Sequence, residues 1–211
     1  AVRGDLPQIL KIYDHARAAM KGSGNPTQWG DNYPPQEMLE EDIDSNRLFV
    51  YVVNGQIEAV FAFILGADPT YAVIEDGQWL NDTLPYGTGH RLASAGRQKG
   101  VASAVLEWSL EHCQSLRADT HADNKIMQHL LEKNGFTRCG IIHVRDGSPR
   151  DAYQKLAETQ PLESAAKCLC TGSAPCAGIF SGKISEPLQF GTALLRVPDD
   201  ETKPGTRPGN N

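Results

Sequence analysis

The stretch RQKGVASAVLEW, Arg97 to Trp108, decides how the chain reads. Two cations and a glycine precede an amphipathic run. Val101, Val105 and Trp108 fall on one stripe, with Ala102, Leu106 and Cys113 beside it. The first turn of a helix carries backbone N–H groups with no partner inside the helix. They also sit at the positive end of the macrodipole. A phosphate satisfies both conditions. Gly100 lets the backbone approach such a group without a Cβ in the way, and Arg97 and Lys99 can add charge-assisted contacts. By itself the same start also reads as a solvated basic turn before a core helix.

The flanking sequence alternates between two periods. Ile9, Ile12, Tyr13, Ala16 and Met20 recur at helical spacing, predicting a helix from about residue 6 to 20 with Asp5 as its cap. The loop NPTQWGDNYPP leads to a short acidic helix started by Pro35. RLFVYVV and QIEAVFAFIL flank Asn54-Gly55, which is a hairpin signal. YGTGHRLAS reads as a strand weakened by Gly87 and Gly89. After the Gly100 helix come a short strand (LRADTH), a helix capped by Asp123 and ended by Gly135, and the closing strands FTRCGIIHV and DAYQKL. This order predicts an α/β layered domain ending near residue 156.

Arg97-x-x-Gly100-x-Ala102 lies between a strand and a long helix. It resembles the Arg/Gln-x-x-Gly-x-Gly/Ala signature of the GNAT superfamily of N-acetyltransferases. Asn124, 22 residues past Ala102, opens a helix ending in Asn134-Gly135-Phe136, which is similar to the second motif of that superfamily. DLPQILKIYDHAR resembles its first helix and GSPRDAYQK its last strand. The resemblance covers residues 1 to about 156. It implies a mixed, largely antiparallel central sheet with splayed middle strands and helices on both faces. It also implies acetyl-CoA as co-substrate. The N–H groups of Gln98, Lys99, Gly100, Val101, Ala102 and Ser103 would hold the pyrophosphate, beside Arg97. Leu92, Ala93 and Ser94 would pair with the pantetheine arm like a missing strand, and Asn124 would bond near it, unless it serves as a helix-start residue. The first strand of the pattern looks clipped, which leaves open whether Ala1 is the true start.

Acetyl transfer to an amine needs a base for the ammonium proton and a donor for the thioester carbonyl oxygen. A backbone N–H around Leu92 to Ser94 suits the donor. His90, on the predicted cofactor strand, and Glu75, before the preceding turn, are the candidate bases. Otherwise His90 is a half-buried strand residue and Glu75 a solvated turn residue. Many relatives carry a tyrosine acid seven residues after the motif asparagine. Here that position is Leu131, so Tyr153 or Tyr86 substitutes, the thiolate leaves unassisted, or activity is impaired. The resemblance makes NPTQWGDNYPP a wall of the acceptor cleft. Trp29 and Tyr33 would form an aromatic surface and Asp31 would attract an amine. Alternatively the two rings pack the loop and Asp31 is solvated. DPTYAVIEDGQW would line the opposite wall. The acceptor is then a small-molecule or peptide amine. The rival reading is a non-catalytic CoA-binding or regulatory module.

A net charge of -6 argues against a broad grip on nucleic acid. No apolar run approaches the roughly 20 residues of a membrane span. Five cysteines, two of them in core-like patterns, point to a reduced cytoplasmic protein. The oligomeric state stays open, a homodimer included. The last 55 residues hold 12 Gly and Pro against 21 in the first 156, so residues 157–211 read as an irregular, flexible tail, extra to the domain, with one strand in QFGTALLRV. Cys168, Cys170 and Cys176 lack a fourth ligand nearby, so no metal is expected.

Overall fold

Ile9, Ile12 and Tyr13 are the buried stripe of the first helix, α1 (Leu6–Gly22). The computed structural model describes residues 1–158 and the strand Ala193–Arg196. After α1 come α2 (Gln36–Asp44), β1 (Leu48–Val53), β2 (Gln56–Leu65), β3 (Gly87–Ser94) and α3 (Val101–Glu111). β4 (Ser115–Thr120), α4 (Lys125–Lys133), β5 (Thr137–His143), β6 (Pro149–Leu156) and β7 (Ala193–Arg196) follow. The expected hairpin forms at Asn54-Gly55. Both residues take positive φ (50° and 77°), as a two-residue turn of matching twist requires. Asn124, not Asp123, caps α4: its side chain accepts from the Met127 N–H at 3.1 Å. Asp123 instead lies beside His121.

The strands form one sheet in the order β5-β6-β4-β3-β2-β1-β7. Neighbours are antiparallel except β3 and β4. β7 falls within the expected tail. It pairs with β1 over Val50–Val53. The cysteines 168, 170 and 176 lie outside the described residues. Among the described residues, no helix is long and apolar enough to cross a membrane.

Strand alternation sorts the core into two faces. Leu48, Val50, Val52, Val60, Ala62 and Ala93 pack under α1 and α2. Phe49, Phe61, Phe63, Leu116, Ala118 and Tyr153 pack under α3 and α4. A third layer comes from the 66–86 connection, which buries Tyr71 and Trp79 against Cys139, Ile142 and Ala152. This layer covers the half of the sheet that α1 and α2 leave bare.

Arg117 rivets the third layer to β4. Its side chain is 1% exposed, with the guanidinium carbon 4.0 Å from the Trp79 ring and 3.9 Å from the Tyr86 ring. Nη2 donates to the Asn81 carbonyl at 3.2 Å and to Asp82 Oδ1 at 2.8 Å. A desolvated guanidinium between two rings is worth more than an exposed one. Arg117→Ala is therefore expected to cost about 2–4 kcal/mol, because it leaves a cavity as well as losing these contacts. A lowered urea midpoint with an unchanged m value checks this.

β3 and β4 run together for only three pairs, Gly87–Leu116, Thr88–Arg117 and Gly89–Ala118. Immediately beyond, β3 bulges. Val60 pairs with Ala93 and Ala62 with His90, so Phe61 alone spans Arg91 and Leu92. Arg91 takes the left-handed backbone, φ 54°. Such a bulge bends its strand and increases the local twist. The β4-facing side of β3 from His90 to Ser94 is left without a ladder partner among the described residues.

Candidate active site

The Ala95–Gly100 connection links the free edge of β3 to α3. Gly100 is the N-cap residue of α3, with φ 82°, and no side chain caps this end. The first helical bond runs from Ala104 N–H to the Gly100 carbonyl at 3.0 Å. Among the described residues, no hydrogen bond takes up the N–H groups of Gln98 to Ser103. A Cβ on Gly100 would meet nothing within 4 Å, so the glycine answers to backbone conformation and faces open space. Val101 and Val105, on the opposite face of α3, lie in the core. The arrangement fits a phosphate group in three respects: several convergent N–H donors, the positive helix end, and room.

The two cations differ. Lys99 is exposed at the cradle. Arg97, which the sequence suggested as a phosphate contact, holds the loop to β2 instead. Its Nε donates to Glu58 Oε1 at 3.1 Å and its Nη2 to the Ile57 carbonyl at 2.8 Å. The Ser103 N–H has no hydrogen-bond partner among the described residues, while its Oγ accepts from Asn134 at 3.1 Å. Asn124 also does structural work: beyond its cap, Nδ2 donates to Gln28 Oε1 at 2.9 Å, tying α4 to the α1–α2 loop. Leu92 and Ser94 are half-buried and Ala93 is buried along the free edge of β3.

His90 stands where the central strands part. Its Nε2 is 3.0 Å from Asp68 Oδ2, and its Nδ1 is 3.9 Å from Asp119 Oδ1. The Tyr71 hydroxyl donates to Asp119 Oδ1 at 2.6 Å, and its ring meets His90 edge-on. Arg150 Nε lies 4.0 Å from Asp119 Oδ2. Asp68 also accepts from the Thr70 N–H at 2.9 Å, and its own N–H donates to the Tyr86 hydroxyl at 3.0 Å. The bond with His90 holds the Asp68 carboxyl down at about 2, against the opposing effect of burial. Burial and the neighbouring Asp119 push the Tyr71 phenol well above its usual range.

The structure brings His90 to the site and leaves the other two suggested catalytic groups apart from it. Glu75 bridges to Ile141 through its backbone, and its side chain is 60% exposed near His143. It therefore lies on the outer edge of β5, four strand spacings from β3, or about 19 Å. Tyr153 is buried with Leu131 on the α3–α4 face. Asp119 alternates with Ala118 and so belongs to the opposite face, with His90. Burial first, then Glu132 and Asp151, push the Tyr153 phenol up to about 12. Tyr86 supports Arg117 and Asp68 rather than standing free.

On the other wall, Trp29 packs onto the core against Tyr13, at 5.7 Å between ring centroids, and Tyr33 follows at 6.3 Å. Asp31 is 78% exposed and paired with Lys21, which holds its carboxyl below the usual range. Between these rings and His90 lies Arg91, ion-paired with buried Asp42 and accepting a bond from the Tyr13 hydroxyl on its carbonyl at 2.9 Å.

The sequence pattern gives Asp119 and Arg91 no role, and it places Asp68 and Tyr71 only within the wall stretch DPTYAVIEDGQW. A signal existed for Asp119: a carboxylate within a short strand whose alternate residues, Leu116 and Ala118, are apolar. No local signal marks Arg91, because its role comes from the bulge.

No family model and no curated protein sequence matches the chain. Solved structures do. A GNAT-family acetyltransferase from Streptococcus agalactiae 2603 is 33% identical, covering 75% of this chain and 94% of its own, with a TM-score of 0.69. A Staphylococcus aureus Mu50 protein is 26% identical over 75% of this chain and 97% of its own, with a TM-score of 0.55. An aminoglycoside acetyltransferase solved with coenzyme A and kanamycin shares the fold, at 18% identity over 74% and 91% of the two chains and a TM-score of 0.50. One-third identity across nearly the whole length of the first of these, on the same fold, establishes that the chain belongs to the GNAT family of acetyltransferases.

Proposed function

We propose that residues 1–156 form an acetyl-CoA-dependent N-acetyltransferase that acts on a primary amine by direct attack in a ternary complex. The observation that carries this reading is the uncapped Gly100 helix beside the free edge of β3, with His90 at the point of parting. The N–H groups from Gln98 to Ser103 would hold the pyrophosphate, with Lys99 adding charge. The free edge at Leu92, Ala93 and Ser94 would take the pantetheine amides, close to Asn124. An N–H of that edge would serve the carbonyl oxygen of the thioester. Acetyl-CoA supplies the activated acyl group.

His90 takes one proton from the ammonium, leaving a free amine. The amine nitrogen forms a C–N bond at the thioester carbonyl, and the C–S bond breaks with its electron pair going to sulfur. The second proton leaves the new amide nitrogen for the thiolate or solvent. One ammonium and one thioester thus become one amide, one thiol and one proton. A thiol pKa of about 8.5 lets the sulfur leave without a dedicated acid, which suits Leu131 at the usual tyrosine position. Direct attack suits the thiols too. Cys113 and Cys139 are both pushed up by burial and lie at the far end of α3 and in β5.

Trp29, Tyr33 and Asp31 on one wall and Asp68 and Asp119 on the other favour a cationic amine, whether small molecule or peptide. The test is acetyl-CoA consumption with a panel of diamines, aminoglycosides, amino acids and peptides. Sustained turnover with one of them, following sequential kinetics, is expected. Tight cofactor binding without turnover on any of them would replace this reading by a binding module.

A further inference from the structure

We propose that Asp68 is a positioning residue that makes Nδ1 of His90 the basic nitrogen, with Asp119 as a second carboxylate beside the imidazolium. This rests on His90 being the base of the reaction above. The argument begins with the two ring nitrogens. At 3.0 Å from a carboxylate oxygen, Nε2 must carry its hydrogen, since a lone pair there would face another lone pair. Asp68 cannot be the donor, because it is ionised throughout the neutral range. The neutral imidazole therefore keeps its hydrogen on Nε2 and its free lone pair on Nδ1. At 3.9 Å, the Nδ1–Asp119 separation is too long for a hydrogen bond, so that lone pair has no hydrogen-bond partner among the described residues.

The surroundings suit a proton that comes and goes at Nδ1. When His90 is protonated, Asp68 lies on one side and Asp119 on the other. Asp119 is held in place by the Tyr71 hydroxyl and neighboured by Arg150. Tyr86 and Thr70 hold the backbone around Asp68. These groups come from the 66–86 layer, β4 and β6, and Arg150 is the one cation among them. Its charge is directed at Asp119, so Asp68 acts on the imidazole with less opposition. Asp68 is predicted to dominate, and Asp119 to have the smaller effect.

The test is a long-range 1H–15N correlation spectrum of the full chain labelled on histidine, followed through pH. His90 is expected to show the Nε2–H tautomer at high pH. Asp68→Asn is expected to move its titration to lower pH, because an anion that favours imidazolium is gone. Asp68→Glu is expected to restore most of the wild-type midpoint, and Asp119→Asn to shift it less than Asp68→Asn. The acid limb of kcat/KM should move with the same sign as the midpoint, which a purely structural role would not produce. An Nδ1–H tautomer in the wild-type chain, or an unmoved midpoint in Asp68→Asn, overturns the proposal. The spectrum needs no acceptor and reads the tautomer even if the variants fold poorly. Turnover on an amine with an unmoved midpoint would keep the enzyme and discard this role for Asp68.

Discussion

Aspartate in place of Gly100 is expected to weaken coenzyme A binding at least about 100-fold, read by calorimetry on the purified chain. Two effects add. Gly100 takes φ 82°, and an L side chain there costs roughly 1–2 kcal/mol, which is lost from affinity as the unbound loop relaxes to a conformation that must be reversed on binding. The new carboxylate would also enter the open space that the cradle N–H groups face, where a diphosphate would be repelled. Gly100→Ala separates the two, since it carries the strain without the charge, and a loss of about tenfold is expected. Neither variant should prevent folding, because the added Cβ meets no protein atom within 4 Å. Wild-type affinity in Gly100→Asp would move the cofactor away from this helix.

His90→Gln is expected to lower kcat/KM for the amine by about 10²–10⁴-fold, the usual range for a lost general base. Affinity for coenzyme A should hold, because the cradle lies along α3 and glutamine preserves a donor toward Asp68. The acid limb of the pH–rate profile should go as well, since the proposed base is absent. Glu75→Gln serves as the contrast and should stay within about twofold, as expected for an exposed group at the far edge of the sheet. Steady-state rates at saturating acetyl-CoA decide both. A His90→Gln enzyme with a wild-type profile would pass the base to another group of the cleft.

The elements whose physics is local were legible in the sequence. The 3.6-residue stripe of Ile9, Ile12 and Tyr13, the Asn54-Gly55 turn and the glycine opening the Gly100 helix each carry their own signal over a few residues. The cap of α4 was misread by one position, because Asp123 and Asn124 are equally good cap types and only backbone geometry chooses between them.

The neighbourhood of His90 was only partly legible. His90 stood out as an imidazole on the predicted cofactor strand, but its partners come from 22 residues before it and 29 after it. Glu75 and Tyr153 carry the right chemistry in sequence. Pairing sends the first to β5, and strand alternation turns the second to the opposite face. By itself, then, the sequence determined the layered fold, the helix that starts at Gly100 and the family pattern, because these follow from spacing along the chain. Only the tertiary structure decided which carboxylates flank His90 and that Arg97 clamps a loop. Those facts depend on where the bulge at Arg91 parts the central strands and on which face each strand turns toward the 66–86 layer.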